Sequence, residues 1–322
     1  MQMIVAITWV HWTAFVLAVL FFLALDLGVF HRKSHAVGFK EALVWTAMWF
    51  SVAMLFALGL YHMRGQEEAL EFVTGYIVEL SLSMDNVFVI ALIFGYFRVP
   101  LIYQHRVLFW GIMGALVMRG IMIGAGAALV RQFDWTLMVF GAFLVFTGIK
   151  MLFAKEEGVD PEKNMAIRLA RKFLPISPDF DKQHFVTYVD NRRMFTPLVL
   201  VLVMVEATDL IFALDSIPAI FGITTNEFIV FTSNVFAILG LRSLYFVLAG
   251  AIEYFRFLKF GLSLVLVFIG AKMLLPKSIH ISTTLSLCIV GGIILISILS
   301  SLLASWIEHR HQVKKRKTSP VL

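Results

Sequence analysis

The chain has 322 residues, is 60% hydrophobic and only 15% charged, and has a mean hydropathy of +0.88. Soluble domains are roughly 45–50% apolar and about 25% charged, so the composition excludes an ordinary soluble domain and gives a polytopic membrane protein. The net charge of +6 would suggest nucleic acid in a soluble chain, and the single cysteine, Cys288, excludes an intrachain disulfide or a thiolate metal cluster.

Apolar runs of roughly 20 residues, enough to cross a hydrocarbon core about 30 Å thick, predict an all-α fold of nine transmembrane helices. They fall at about 4–30, 40–62, 72–97, 106–131, 135–154, 196–222, 229–253, 257–276 and 281–306. The first run has no basic leader and is too long for a signal-peptide core, so it reads as a retained span. The segment 155–195 is the one long loop. It carries eight Lys/Arg and seven Asp/Glu with Pro161, Pro175 and Pro178. It reads as a cytoplasmic linker with a short surface helix in PEKNMAIRLARKFL, and its mixed charge argues against a nucleic-acid arm.

Nine spans place the termini on opposite sides. One set of loops then holds 20 Lys/Arg and the other holds three, Arg64, Arg131 and Lys277. Positive charge stays inside. This expectation puts the N-terminus outside and the basic tail, 307–322, in the cytoplasm, where KKRK reads as a topology anchor in preference to a lipid site.

Two stretches repeat. One runs from Asp85 (DNVFVI) through Arg119 to GIKML at 148–152; the other runs from Asp209 (DLIFAL) through Arg242 to GAKML at 270–274. Asp and Arg are 34 and 33 residues apart, and Asp and Lys are 65 and 63 apart. Each unit, 72–154 and 196–276, holds three helices. An odd number of crossings inverts the second unit relative to the first, a construction common in secondary transporters with a midplane site. Residues 1–71 then form two N-terminal helices, and 277–306 form a closing helix.

Four basic residues lie inside spans: Arg119, Lys150, Arg242 and Lys272. The intramembrane acids are Glu79, Asp85, Glu206, Asp209 and Asp215, with Asp26 near the end of the first helix. Five such acids left unpaired would cost on the order of 12 kcal/mol. They must face a polar interior and be neutralised there. The four bases read as gating or charge-balancing partners. Glu206 and Asp209, three apart, share a helix face. Asp215 points away on a straight helix, so Pro218, three residues later, predicts a break around Asp215-Ser216-Ile217-Pro218 that turns Asp215 inward. Glu79, Ser83 and Asn86 share a face, and Asp85 stands about 120° from Glu79. Ideal helices do not gather all five acids, which predicts local unwinding or a separate role for one.

The candidate ligands are carboxylates, the amide oxygens of Asn86 and Asn234, hydroxyls such as Ser216, and carbonyls. These hard donors suit Mg²⁺, Ca²⁺ or Mn²⁺. Met84 and Met204 read as packing residues among 15 methionines. A G-x-x-x-x-G-K-[ST] loop is absent, so an ATP-driven pump is disfavoured. Asp85 and Asp209 also lack the Gly-x-Gly-Asp context of an intramembrane aspartyl protease.

E79-x5-DN and E206-x2-D-x5-D-S-I-P-A, with the two GxKML repeats and FTSNVFAILGLRSLYF at 231–246, resemble the signature motifs of the TerC family. The resemblance covers about residues 10–306 and is nearest to the Alx-type bacterial branch. It implies a nine-helix protein of the bacterial inner membrane. It also implies manganese efflux, with Mn²⁺ as substrate ion, no organic cofactor, and transport acids at Glu79, Asp85, Glu206, Asp209 and Asp215. Protons and the bilayer are the other expected partners. The competing expectation is a scaffold or insertion factor in which the acids serve the fold. Neither reading makes the protein an enzyme.

Overall fold

The computed structural model describes residues 7–25, 38–133, 135–153, 165–249, 257–276 and 281–318, with side chains through Trp306 apart from those of residues 25 and 249. Asp26 and the loop at 154–164 lie outside the described residues, as do the side chains of the KKRK tail.

Ten helices and one hairpin make up the described chain. In order they are α1 (Trp9–Leu25), α2 (Phe39–Arg64), α3 (Gln66–Tyr96), α4 (Leu101–Gln132), α5 (Thr136–Phe153), α6 (Met165–Phe173), β1 (Val186–Val189), β2 (Arg192–Phe195), α7 (Pro197–Phe221), α8 (Glu227–Ala249), α9 (Leu258–Leu274) and α10 (Thr283–Thr318). Seven of these are long and apolar enough to span a membrane: α2, α3, α4, α5, α7, α8 and α10. α1 and α9, at 17 residues each, are shorter over the described range. Thus the all-α polytopic fold read from hydropathy is the fold observed.

α3 and α4 extend beyond their apolar runs, because polar first turns continue a helix as well as apolar ones do. α3 begins six residues earlier than its apolar run, directly after Gly65. That residue alone separates α2 from α3. Its φ of 100° is the left-handed region that glycine tolerates, and its amide donates to the carbonyls of Leu60 and Tyr61.

The helix pairs respect the internal repeat. α3 packs on α8 and α4 packs on α7, two contacts that interchange when the first unit is swapped for the second. α5 pairs with its own counterpart, α9. Gly141 lies against Gly270 and Gly148 against Ser263, so the two helices run antiparallel. The swap takes Gly148 to Gly270 and Gly141 to Ser263, which maps one contact onto the other. A Cβ at Gly148 would stand 2.8 Å from the Ser263 carbonyl oxygen, and one at Gly270 would stand 2.6 Å from that of Gly141. The glycine of each G-x-K-M-L motif is therefore a packing residue that lets two helix backbones touch, as small residues do in membrane interfaces.

α8 is the most enclosed helix, held by α2, α3 and α4. α1 and α2 cover it with an aromatic cluster that includes Phe15, Trp49, Phe56, Phe72, Phe228 and Phe236. α10 lies against α9 and α3.

The segment expected as a linker is folded from Met165 onward. α6 buries Ile167 and Ala170 against the start of α7. β1 and β2 pair antiparallel from Val186↔Phe195 to Val189↔Arg192. Asp190 and Asn191 close the hairpin with φ of 49° and 60°, the paired positive angles of a type I′ turn.

α7 departs from expectation. It is helical without interruption through Asp215, Ser216, Ile217 and Pro218 to Phe221, so the break expected at Pro218 is absent. Pro218 sits in the last turn, where only the Leu214 carbonyl loses its donor. Gly222 then ends the helix by donating to the carbonyls of Pro218 and Ala219.

Candidate functional site

The site forms where α3, α4 and α7 meet. Arg119, on α4, is 1% exposed and its guanidinium lies between the acids of the other two helices. Its Nη1 donates to Glu79 Oε1 in a short ion pair and to Ser216 Oγ at 3.3 Å. Nε donates to Asp209 Oδ2 at 3.2 Å, and Nη2 donates to Asp209 Oδ1 at 2.9 Å. Asn86 Nδ2 adds a donor to Asp209 Oδ1 at 3.3 Å. A planar fork with five N–H groups suits this bidentate grip, which an ammonium could not reproduce.

Beside the guanidinium is a cavity of ≈ 50 Å³. α3 supplies Glu79, Leu82, Asp85 and Asn86, and α7 supplies Phe212, Asp215 and Ser216. Arg119, Met151 and Leu266 complete the wall. A volume of this size exceeds the ~10–15 Å³ a single water needs, so a dehydrated ion with a water or two fits. Asp215 also accepts a hydrogen bond from Thr147 and stands within electrostatic reach of Lys150, both on α5.

The unbroken helices meet in a repeated pattern. Glu79, Leu82, Asp85 and Asn86 on α3 have the same spacing as Asp209, Phe212, Asp215 and Ser216 on α7. The first, second and fourth of each set form one stripe, and the third lies at its edge. This is how Glu79 and Asp85 reach one cavity although a helix points them about 120° apart, and why Asp215 reaches it without a break. The expected unwinding is not needed: α3 and α7 are continuous across both motifs. The sequence repeat aligns Asp85 with Asp209, whereas Arg119 pairs Glu79 with Asp209, which itself is not part of the cavity wall.

Three buried oxygens on the α3 stripe make no hydrogen bond: Glu79 Oε2, Ser83 Oγ and Asn86 Oδ1. The amide of Asn234 on α8 is also buried with neither atom bonded. Buried polar atoms seldom stay unbonded, so these oxygens mark where a polar ligand or water would sit.

Four other residues lie apart. Glu206 does not line the cavity; its carboxylate rests on Gly114 of α4, where a Cβ would come within 2.0 Å of Oε1. Arg242 is buried on α8, outside the cavity wall. Lys272 lies near Glu71 of α3, which accepts from the Thr224 hydroxyl at 2.7 Å. Lys150 borders the site only through Asp215. Thr147 and Gly114 were not singled out in the sequence. Thr147 is one residue before the GIKML motif, the only signal it offers.

Among the described residues, no group of three or more His, Cys, Asp or Glu side chains converges closely enough to hold a metal ion. Arg119 holds Glu79 and Asp209, and Asp85 and Asp215 line the cavity from different helices.

Comparison with known proteins gives the family. Residues 64–313 match the model of the integral membrane protein TerC family. The chain belongs to that family. It is 52% identical over 294 residues to "Uncharacterized membrane protein STKORF319" of Myxococcus xanthus, covering 91% of this chain and 92% of that one. It is 44% identical over 313 residues to "Putative membrane-bound redox modulator Alx" of Escherichia coli (strain K12), covering 94% and 97%. A Rickettsia felis "Uncharacterized membrane protein" is 40% identical over 299 residues, covering 92% and 99%. No solved structure matches. The TerC chain is thus a multi-pass membrane protein.

Proposed function

We propose that this TerC protein is a secondary transporter that exports a divalent cation, Mn²⁺ foremost, from the bacterial cytoplasm across the inner membrane. The observation that carries the reading is the buried stripe of unbonded oxygens on α3, Glu79 Oε2, Ser83 Oγ and Asn86 Oδ1, beside a cavity walled by Asp85 and Asp215. Hard oxygens in a buried site favour a hard dication over a thiophilic one. Mn²⁺ over Mg²⁺ or Ca²⁺ is drawn from the family resemblance.

In this reading Arg119 holds the place of the cation in the conformation described. The ion enters as the guanidinium leaves Glu79 and Asp209, and those carboxylates with Asp85, Asn86, Asp215 and Ser216 then surround it. Inverted repeats alternate access by rocking one unit against the other. Protons serve as the counter-ion on the same acids, since carboxylates bind metal only when deprotonated.

A second reading has one observation in its favour. Arg119, Glu79 and Asp209 form a closed ion-pair set, as a purely structural core would, so the protein could instead be a scaffold or insertion factor. The name of the Escherichia coli relative speaks of redox, but a chain with one cysteine has no dithiol couple of its own.

Mn²⁺ flux into or out of proteoliposomes under a pH gradient tests the proposal. Flux that vanishes in Asp209→Asn and Asp85→Asn protein of normal yield is the expected result. Equal flux in wild type and both variants would reject the exporter and leave the scaffold.

A further inference from the structure

Lys272, the lysine of the second G-x-K-M-L motif, does not line the cavity. It lies within electrostatic reach of Glu71 on α3. Its counterpart Lys150 lies within reach of Asp215 on α7. Swapping the units takes α5 to α9 and α7 to α3, so each lysine reaches an acid on the first helix of the other unit. Asp215 lines the cavity. Glu71 stands about two helical turns from Glu79, toward Gly65.

Glu71 belongs to a network that joins the units. Its Oε2 accepts from Thr224 Oγ1 at 2.7 Å, and that hydroxyl accepts from the Asn226 amide at 3.1 Å. Asn226 Nδ2 donates to Glu68 Oε2 at 3.3 Å, while its Oδ1 accepts from the Phe228 amide at 3.2 Å and caps α8. Glu68 also accepts from Arg64 Nε and Nη2, at 2.9 and 2.6 Å. The turn between α7 and α8 is thus bonded to the first two turns of α3. Thr224 is buried, so water does not compete for its bond to Glu71. A Cβ at Gly222 would stand 2.5 Å from Ile269 and 2.7 Å from Met273, so the same turn also presses on α9 beside Lys272.

Three chain segments run in the same order from the cavity to this network: Glu79, Val78 and Glu71; Ser216, Ala219 and Thr224; Leu266, Ile269 and Lys272. The first of each three lines the cavity. The middle ones, Val78, Ala219 and Ile269, belong to one buried apolar cluster with Ile223. That cluster separates the cavity from the network. The swap takes this end of the bundle to the other, where the α3–α4 turn faces the first turn of α7. There Phe97, Pro197 and Leu200 share the wall of a cleft of ≈ 400 Å³, and none of the three has a side-chain donor or acceptor. One end is bonded across the units by side chains, and its counterpart is a cleft.

We propose, resting on the transport reading, that Glu71, Thr224 and Lys272 form a latch that closes this end of the cation path in the conformation described. The latch parts when the second unit rocks away from the first, and the α7–α8 turn then leaves α3. This gives the second G-x-K-M-L lysine a task away from the ion: it holds the charge of Glu71 in place across the units.

The test uses full-length protein in vesicles, with Val78→Cys in a Cys288→Ser background and a membrane-impermeant thiosulfonate applied from the side that Gly65 faces. The expected result is slow labelling with the latch intact and about tenfold faster labelling in Glu71→Ala, the effect of one hydrogen bond to a charged group. Lys272→Gln moves the rate in the same direction. Arg131→Gln, which removes an exposed ion pair with Glu227 at the same end, leaves it unchanged. A second measurement does not depend on how those variants fold. Glu71→Cys and Thr224→Cys are joined by a short bifunctional thiosulfonate, and Mn²⁺ flux stops on joining and returns on reduction. Labelling unchanged in both latch variants, or flux indifferent to the cross-link, overturns the latch and leaves the exporter standing. An equal rise in Arg131→Gln overturns the assignment to these three residues. Faster labelling of the latch variants, in a protein whose wild type carries no Mn²⁺ flux, supports the closure and removes the exporter.

Discussion

Arg119 of α4 grips Asp209 of α7 through two nitrogens, at 3.2 and 2.9 Å, and so ties the first structural repeat to the second. The same guanidinium pairs with Glu79 of α3. Three helices from two units therefore share one buried positive charge. Removing either side of such a pair leaves an uncompensated buried charge, which costs more than the pair itself contributes.

Arg119→Gln should lower stability by about 3–5 kcal/mol, because two buried carboxylates lose their counter-charge. Arg119→Lys should recover part of this but not the bidentate geometry. Thermal unfolding in detergent measures both. If the guanidinium competes with the cation, the surviving fraction of Arg119→Gln binds Mn²⁺ more tightly than wild type by calorimetry. Weaker binding in well-folded protein would count against that competition.

Asp209→Asn should lower Mn²⁺ flux at least about tenfold, equivalent to ~1.4 kcal/mol in the barrier, with Arg119 left on Glu79 alone. Glu206→Gln should have a smaller effect, since Glu206 lies on Gly114, whereas Asp209 is gripped by Arg119, which lines the cavity. Reconstituted flux normalised to protein content ranks the two. The reverse order would mean that Glu206, not Asp209, meets the ion.

Gly148→Ala should destabilise by about 1–3 kcal/mol, the usual cost of overpacking, because its Cβ would meet backbone atoms of α9. Gly124→Ala is the control. Nothing lies within 4 Å of the Cβ that it adds, so it should be neutral or stabilising by roughly 0.5–1 kcal/mol. Paired unfolding curves decide the matter, and equal shifts would refute the close contact of α5 and α9.

Pro218→Ala should change stability by less than about 1 kcal/mol and leave flux intact, since α7 is unbroken and Pro218 falls in its last turn. A transporter that needed a bend at that proline would lose flux here without losing stability.

Much of this was legible in the residues. Hydropathy placed a helix at each of the nine expected positions, seven of them long and apolar enough over the described residues to cross a membrane, and the spacing of Asp, Arg and GxKML matches the pairing of α5 with α9. The residue types of the site were legible too, since a membrane helix cannot hold Glu79, Asp209 or Arg119 without partners. Which acids Arg119 takes was not legible, because the crossing of α3, α4 and α7 decides it. Glu206 and Asp209 share a helix face, yet they part company because Gly114 lets one carboxylate settle against α4. Pro218 carried a strong signal that its place near a helix end made weak. The hairpin was missed: its strands have four residues each, and VTYV-DN-RRMF lay within a segment dominated by its charge.

Gly65 has a mechanical consequence. α2 and α3 share one residue as their joint, held by bonds to Leu60 and Tyr61. With no slack chain between them, α3 cannot slide along its own axis unless α2 travels with it. It can only swing about that joint. Any stroke that moves Glu79 and Asp85 is therefore an arc, with its smallest displacement at Gly65 and its largest at Tyr96, the far end of α3.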